Sequence, residues 1–477
     1  MPRILLRARR GFLILEAVLA IGIFTIFLAA SGGLLLQGQE RTSWAGDRVR
    51  GAYAAFSALE GARSIRSGGF SSLPAGTHGV VLGPSGSWIL AGSGNTANNI
   101  TTTLTIADVE SNHKTLRAEA SWPRGADGSG SLVLEGEVTD WREVHGVGDW
   151  SQPQLLGSAE LGGQPAFTSL ALKGTIAYVG VASDPGLLLF DVSDPSSPSR
   201  TSTSFTVGVG AHAVAVRGDR LYVLTDDTAA ELRMYNITTP ASPVLTPIAS
   251  YNLPGSDRGL SLSFGGNLLI VGAKADATEQ QMYLFDAFDT SAFTLLGSLH
   301  GSGDVYAAGS HGTTAYLATG NVAAELGVVG ISSPALPVFA SGEGYNVTGS
   351  LTGLSIAVTG SSAVLGQAKG MSNVVVFDVS AGGMPSAPRY HQGSGSIVGV
   401  GSEPSGCFAF LAAASGHKAL QVVRLSDPSL PEVASYSASS LVPATALLYD
   451  PGEDRLYLLT ASSLRVLRSG TSPSPCL

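Results

Sequence analysis

The sequence has few cysteines and few charged residues, and each shortage excludes a class of protein. Two cysteines, Cys407 and Cys476, in 477 residues are too few for a disulfide framework or a zinc site built on cysteines. Charged residues make up 13% of the chain. The formal net charge of -9 is opposite to that of nucleic-acid-binding surfaces, which neutralise phosphates with clustered lysines and arginines. We therefore expect no nucleic acid among the partners.

The sequence motifs of common catalytic and metal sites are also missing. The chain contains no HExxH, no Walker A phosphate loop and no GxSxG, and its eight histidines are scattered without ligand spacing. The glycine-rich stretch at 393–399 joins two predicted strands rather than a strand and a helix, so it predicts no phosphate site. We therefore expect no catalytic residue, no metal and no cofactor, and we predict that the protein is not an enzyme.

A long apolar run stands near the start of the chain. Four arginines at positions 3, 7, 9 and 10 come before about 25 residues from Phe12 to Leu36, in which Glu16 is the one charged residue. A helix of this length can cross a bilayer core of roughly 30 Å, and basic residues before it favour a cytoplasmic start. The run therefore predicts a transmembrane α-helix, with the rest of the chain exported.

Three residues of this region resemble the type IV prepilin signature, in which a basic leader ends in glycine before phenylalanine and glutamate is the fifth mature residue. They are Gly11, Phe12 and Glu16. The resemblance implies that a prepilin peptidase cleaves between Gly11 and Phe12, that the new amino group of Phe12 is N-methylated, and that Glu16 pairs with such an amino group of a neighbouring subunit. An ordinary secretory signal is the alternative, although its apolar run usually has about 7 to 15 residues.

The helical pattern continues beyond the apolar run and is followed by strands. Apolar residues recur at helical spacing to about Arg66, and glycines 68 and 69 can close the helix. Glycines between positions 32 and 51 predict a bent or partly melted segment. Alternating stretches at 100–110, 115–122 and 131–141 predict antiparallel strands. A long helix before a small sheet is also the pilin architecture, and RSIR at 63–66, Trp122 and Trp141 resemble a group of pilin-like proteins.

From Pro153 onward the sequence repeats itself. The phrase FDVSDPSSP, anchored on Asp191, returns in related form at six later positions, which are Asn236, Asp286, Gly330, Asp378, Arg424 and Leu467. Each copy contains four short apolar stretches, as a propeller blade does. The phrase resembles the repeats of the LVIVD family. The seventh copy lacks a fourth strand, and 153–161 is predicted to supply it, which would close the ring without open sheet edges.

Together these patterns predict a mixed fold, with an N-terminal transmembrane α-helix and a small α+β pilin-like head, then an all-β seven-bladed propeller. The predicted boundaries are a leader at 1–11, the membrane-spanning and pilin helix at 12–66, a β head at 67–150, the propeller at 151–470 and a tail at 471–477.

Acidic residues are concentrated in the predicted loops between the second and third strands of the blades. They are Asp226, Asp227, Glu231, Asp276, Glu279 and Glu325. These loops are opposite the end where the chain enters the propeller, and loops on a rigid scaffold commonly carry recognition. We predict that they form a binding face; a solvated acidic rim is the alternative. At the other end, Cys407 and the C-terminal tail with Cys476 are close enough to allow one disulfide.

The predicted function is that of a minor or tip subunit of a type IV pilus or a related secretion pseudopilus, which presents the propeller for adhesion or partner binding. Expected partners are the membrane, a prepilin peptidase, other pilin subunits and an unknown surface receptor or ligand. The expected location is the bacterial cytoplasmic membrane before assembly, then the cell surface or pilus. The alternatives are a membrane-anchored or secreted propeller enzyme, such as a lyase or hydrolase, and a periplasmic binding protein.

Overall fold

The chain forms two compact units, Met1–Arg142 and Glu143–Leu477. The computed structural model describes residues 10–68, 70–83, 88–110, 113–123, 128–139, 148–161, 166–201, 205–254, 259–275, 280–287, 291–347, 351–414, 417–437 and 442–473. Within these ranges there are 34 strands, one α-helix and one single-turn 3-10 helix.

The first unit contains the α-helix and one antiparallel sheet. Its elements are α1 Arg10–Gly68, the 3-10 helix Phe70–Ser72, β1 Gly76–Leu82, β2 Trp88–Ala91, β3 Asn95–Ala97, β4 Ile100–Glu110, β5 His113–Pro123 and β6 Ser129–Thr139. The strands are arranged in the order β2-β1-β4-β5-β6, and β3 pairs with β4. The core forms where the second half of α1 packs on the sheet, through Ala55, Ala58, Leu59 and Ala62.

The predicted melted segment in α1 is wrong, because the helix runs unbroken for 59 residues, whereas the predicted bend stays a prediction. Its end at Gly68 agrees with the predicted end near Arg66. Gly51 shows why glycine is tolerated: a Cβ added there would lie 2.4 Å from the ring of Trp122, which is itself buried. The close packing of Trp122 against the helix offsets the low helix propensity of glycine, which is worth up to about 1 kcal/mol.

The predicted fold class was wrong about this helix. Among the described residues, no helix is long and apolar enough to cross a membrane. The apolar run that begins at Phe12 is only one part of α1, which continues through charged and glycine-containing turns to Gly68. The described chain is therefore a mostly β protein, not the mixed class with a transmembrane helix that the sequence predicted.

The second unit contains, within the described ranges, seven four-stranded antiparallel sheets, numbered here by their first strands. A strand that precedes them all, β7, is Gly148–Glu160. Sheet 1 contains β8 Phe167–Lys173, β9 Ile176–Val181, β10 Leu187–Asp191 and β11 Ser199–Arg200; sheet 2 contains β12 Ala211–Arg217, β13 Arg220–Thr225, β14 Leu232–Asn236 and β15 Ala249–Tyr251; sheet 3 contains β16 Gly259–Gly265, β17 Leu268–Ala273, β18 Met282–Asp286 and β19 Leu295–Leu299; sheet 4 contains β20 Val305–His311, β21 Thr314–Thr319, β22 Leu326–Gly330 and β23 Val338–Tyr345.

The remaining sheets have the same order of strands. Sheet 5 contains β24 Gly353–Thr359, β25 Ser362–Gln367, β26 Val374–Asp378 and β27 Ser386–His391; sheet 6 contains β28 Ile397–Ser402, β29 Phe408–Ala413, β30 Leu420–Arg424 and β31 Glu432–Tyr436; sheet 7 contains β32 Ala444–Asp450, β33 Arg455–Thr460, β34 Ser463–Pro473 and, as its fourth strand, β7.

The seven sheets form a closed ring. The first strand of each sheet contacts the first strand of the next, and β32 of sheet 7 contacts β8 of sheet 1. The predicted completion of the seventh blade is confirmed, because β7 pairs antiparallel with β34, with Leu464 opposite Ala159 and Val466 opposite Gly157. This pairing joins the start of the second unit to its end and covers an edge that would otherwise be open.

A partly buried hydrogen-bond cluster around Asp454 strengthens the closure. Its carboxylate accepts hydrogen bonds from Gly148 N (2.9 Å), Trp150 Nε1 (2.8 Å), the Tyr449 hydroxyl (2.7 Å) and the Ser469 hydroxyl. Trp150 is fully buried. The sequence placed Trp150 at the end of the head, whereas it lies in the second unit as part of β7.

The repeated Asp-Pro phrase encodes the turn from the third to the fourth strand. Asp194 Oδ1 accepts hydrogen bonds from the hydroxyl (2.6 Å) and backbone N (2.9 Å) of Ser196. Asp427 and Ser429 make the same two bonds in sheet 6, at 2.7 and 2.8 Å. The serine hydroxyl, and then its backbone N–H, lower the pKa of each aspartate. In these two copies, which share the sequence Ser-Asp-Pro-Ser, the local bonds hold the turn in place.

Candidate binding face

The ring has two ends that carry different connections. Strands within each sheet are antiparallel, so the loops between second and third strands lie at the end where the first strands begin. We call this end the loop face. The turns between third and fourth strands, with Asp194 and Asp427, lie at the opposite end, which we call the turn face. As a fourth strand, β7 begins at the turn face.

Two of the six predicted binding residues are buried at the loop face. Glu231 Oε2 accepts a hydrogen bond from Leu253 N at 2.9 Å, and Glu325 Oε2 accepts one from Val347 N at 2.7 Å. Glu231 is 4% exposed and Glu325 0% exposed. The prediction that these two side chains contact a ligand is therefore wrong, because a partner cannot reach a carboxylate that lies inside the protein.

The two buried glutamates belong to a structural device that the sequence reasoning missed. In sheet 3, Gly301 N donates to the side chain of Gln281, and in sheet 5 Gly393 N donates to Asn373 Oδ1 at 2.8 Å. In each of these four sheets, a side-chain oxygen just before the third strand accepts a hydrogen bond from a backbone N–H just after the fourth strand. The sequence signal for this device is a glutamate, glutamine or asparagine just before the third strand. It is difficult to recognise because the residue type differs between the copies.

Burial has a cost at Glu325. Its Oε1 atom is buried and has no hydrogen-bond partner in the structure. Burial raises the pKa of this carboxyl, and the hydrogen bond from Val347 N offsets part of the effect.

Asp226 and Asp227 are partly exposed, but both carboxylates are paired within the protein. His212 Nε2 lies 2.6 Å from Asp226 Oδ1. Asp227 accepts hydrogen bonds from Ala229 N (3.0 Å) and from the Arg233 guanidinium. These two remain candidates for ligand contact. The other two predicted residues, Asp276 and Glu279, lie outside the described residues.

The first strand of every sheet carries a bulge at its loop-face end. The register of pairing shifts after the first residue, so that an extra residue has no partner on the second strand. Each of these residues is partly exposed, and the first residue of each bulge comes after a buried one; they are Thr168 with Ser169, His212, Leu260, Tyr306, Leu354, Val398 and Thr445. We call this set the axial ring, because the first strands surround the axis of the closed ring. Bulges commonly redirect side chains at functional sites.

Two members of the axial ring are held by aspartates. Besides the His212–Asp226 pair, the Tyr306 hydroxyl donates to Asp304 Oδ2 at 3.0 Å, and Ala275 N donates to Asp304 Oδ1 at 2.7 Å. Burial raises the pKa of Tyr306, and the carboxylate of Asp304 raises it further. Tyr306 is therefore a neutral hydroxyl donor at physiological pH.

The remaining predicted sites are only partly described. Cys407 is buried and disulfide-bonded, whereas Cys476 lies outside the described residues, so their pairing stays a prediction. Gly11, Phe12 and Glu16 fall within the bounds of α1, and their side chains are outside the described part. Cleavage, methylation and pairing at these residues also stay predictions. In the part of the chain that the structure describes, no group of three or more His, Cys, Asp or Glu residues could hold a metal ion.

A closed ring of seven four-stranded sheets defines a β-propeller-like repeat protein. The model of the LVIVD repeat family matches residues 167–205, which contain the whole of sheet 1. A comparison with curated proteins found no match. Among solved structures, the computationally designed Ika8 protein is similar, with 17% identity over 66% of this chain and 99% of that chain. The TM-score of this likeness is 0.45.

Proposed function

We propose that the protein is a minor or tip subunit of a type IV pilus or a related secretion pseudopilus, and that it presents the propeller at the cell surface for adhesion or partner binding. The observation that supports this most is the contrast between the two halves of α1. The second half buries one face against the sheet and exposes Val49, Tyr53 and Phe56 on the other. In the first half, seven apolar side chains are more than half exposed: Val18, Leu19, Ile21, Ile23, Phe24, Phe27 and Leu28. An exposed apolar surface of this size needs a cover, and helices of neighbouring subunits would supply one in a fibre.

The residues at the start of α1 add a second line of support. The order of Gly11, Phe12 and Glu16 is that of a prepilin, and implies a prepilin peptidase and other pilin subunits as partners. Mass spectrometry of the mature chain tests this proposal. We expect a methylated Phe12 as the first residue, whereas a mature chain that starts near Gly32 would contradict it.

Fibre incorporation provides an independent test of α1. We expect Glu16→Leu to reduce incorporation into fibres, because the partner of the neighbouring amino group is lost. Thr25→Val is the matched control, since Thr25 bonds only within its own helix, through Ile21 O and Gly22 O, in the described structure. Equal incorporation of both variants would remove the role proposed for Glu16.

The binding role is assigned to the loop face of the propeller. We expect Asp226→Lys and Asp227→Lys to weaken attachment of fibres to target cells, while fibre assembly continues. The control variants are Asp194→Lys and Asp427→Lys on the turn face, where both aspartates serve local turns. An equal loss of attachment from both pairs would contradict the assignment.

One observation favours a second candidate function, that of a propeller lyase or hydrolase. A carboxylate next to an imidazole orients it for proton transfer, and His212 Nε2 lies 2.6 Å from Asp226 Oδ1. Turnover of a polysaccharide that is lost in His212→Gln would support this alternative over simple binding.

A further inference from the structure

The residues of the axial ring are partly exposed at the loop face, apart from the buried Ser169 hydroxyl, and the first strands that carry them form a rigid frame. Each ring residue follows a buried residue, and the first strands beyond it are fixed between their neighbours on both sides. In sheet 1, the hydroxyl of Thr168 bonds the carbonyl of Ala211 at the start of the next first strand, at 2.8 Å. Side chains that are fixed before binding lose less conformational entropy when a ligand arrives.

The chemistry of the ring changes from one side to the other. Sheets 7, 1 and 2 are consecutive and contribute hydroxyl and imidazole groups, from Thr445, Thr168 and His212, whereas the Ser169 hydroxyl is buried. Sheets 3 to 5 contribute two aliphatic side chains and one aromatic ring, from Leu260, Tyr306 and Leu354, whereas Val398 of sheet 6 packs against the hydrophobic core around Trp150. The ring therefore has a polar arc of hydrogen-bonding groups that faces an apolar arc around Tyr306.

The charges near the ring do not favour a cationic ligand. Asp226 is paired with His212, and Asp304 receives hydrogen bonds from Tyr306 and Ala275 N. The loop face also exposes the lysines at 274 and 369. Acidic and basic groups are thus both present, and the carboxylates act as hydrogen-bond acceptors that are held in place rather than as a free acidic rim.

From this arrangement we infer that the axial ring binds a neutral saccharide. A sugar has C–H faces that pack against an aromatic ring and aliphatic side chains, and hydroxyls that both donate and accept hydrogen bonds. The apolar arc around Tyr306 matches the first property. The hydroxyl oxygens of Thr445 and Thr168 donate to Leu459 O and Ala211 O and can still accept, so that they match the second property together with the His212–Asp226 pair. A mostly apolar site with a few fixed polar groups is the usual form of a small-molecule site. This inference rests on the proposed binding role of the propeller and names its ligand.

The test uses purified full-length chain with lactose, maltotriose and N,N′-diacetylchitobiose as probes, followed by saturation-transfer NMR and titration calorimetry. We expect at least one probe to bind. Tyr306→Ala should weaken that binding about tenfold or more, and Thr445→Val about two- to tenfold, as loss of one neutral hydrogen bond does. Tyr306→Phe keeps the aromatic ring and removes only the hydroxyl, so this variant replaces Tyr306→Ala in the binding test if the alanine variant does not fold.

The control is Val322→Ala, which changes an exposed side chain in the loop after β21, on the same face but outside the axial ring. This variant should bind like the unchanged chain. Failure of all three probes, unchanged binding in Tyr306→Ala and Thr445→Val, or preference for a trilysine peptide over the sugars would overturn the inference. Sugar binding does not depend on fibre assembly or N-terminal processing. If the chain binds a sugar but never enters fibres in cells, the pilus proposal is refuted and the saccharide inference stands.

Discussion

Glu325 and Glu231 have a carboxyl group at a repeat position where sheets 3 and 5 have an amide. Gln281 and Asn373 accept the same kind of backbone hydrogen bond with a neutral side chain. Glu325 has no exposed surface, and burial raises the pKa of its carboxyl. The folded protein therefore holds this proton more tightly than the unfolded chain does.

Because the pKa of Glu325 is higher in the folded than in the unfolded state, this residue makes the stability of the protein decrease as the pH rises. The stability that protonation of Glu325 contributes is fully present below the unfolded pKa, about 4.3. It is lost as the pH rises through the higher pKa of the folded state. In Glu325→Gln this loss should disappear, so that the variant is more stable than the unchanged chain at neutral pH. Urea unfolding between pH 4 and 8 measures the difference between the two.

Glu325→Leu is the matched control for the hydrogen bond. It removes the charge and also the acceptor of Val347 N, and an unpaired buried N–H costs about 1–3 kcal/mol. Glu325→Leu should therefore be less stable than Glu325→Gln at every pH. If Glu325→Gln keeps the pH dependence of the unchanged chain, another group is responsible for it.

At the scale of the element, α1 contains glycines in two different environments. Gly46 has no heavy atom within 4 Å of an added Cβ, but at Gly51 that atom would meet the ring of Trp122 at 2.4 Å. Helix propensity predicts the same stabilisation from alanine at both positions, whereas the packing around Gly46 and Gly51 differs.

Gly46→Ala and Gly51→Ala should therefore have opposite effects. The first should stabilise α1 by up to about 1 kcal/mol. The second should destabilise it, because forcing a methyl group into a packed site costs about 1–3 kcal/mol. Amide hydrogen exchange of residues 47–66 measures both effects in the intact chain. Greater protection in both variants would show that Trp122 does not need the space at Gly51.

At the scale of the whole molecule, closing the ring depends on contacts between residues about 300 positions apart. Asp454 links β7 to sheet 7 through Gly148 N and Trp150 Nε1. Asp454→Ala removes this acceptor and leaves several buried donors unpaired. We expect the free energy of unfolding of the second unit to fall by about 3 kcal/mol or more.

Glu453→Ala is the control for Asp454→Ala. The Glu453 side chain is 59% exposed and pairs with Arg455 at 3.1 Å. Loss of such a surface pair should change stability by less than about 1 kcal/mol. Urea unfolding followed by tryptophan fluorescence separates the two variants, and similar losses in both would contradict the role of Asp454 in closure.

The predicted disulfide also acts on the whole ring. A bridge between Cys407 and Cys476 closes about 70 residues and would stabilise the protein by on the order of 4 kcal/mol in the chain-entropy model. Thiol titration of denatured protein, purified without reductant, should find no free thiol. Two free thiols would refute the pairing.

The sequence by itself determined the number of blades, the turn that closes each one and the source of the last strand. These features depend on local patterns: a repeat period, apolar alternation and the Asp-Pro phrase around Asp191. The match of 153–161 to other fourth strands was visible for the same reason, and β7 confirms it. The helix end near Arg66 was also a local signal, because glycines follow the last apolar residues.

Only the tertiary structure decided which polar residues are buried and which stay exposed. Glu231 and Glu325 resembled a surface rim in the sequence, because their partners Leu253 and Val347 are 22 residues away. The axial ring could not be predicted either, since a bulge is defined by the register between two strands. The same holds for Gly51, whose role depends on where Trp122 packs. Burial and register arise from contacts between distant residues, and no local pattern encodes them.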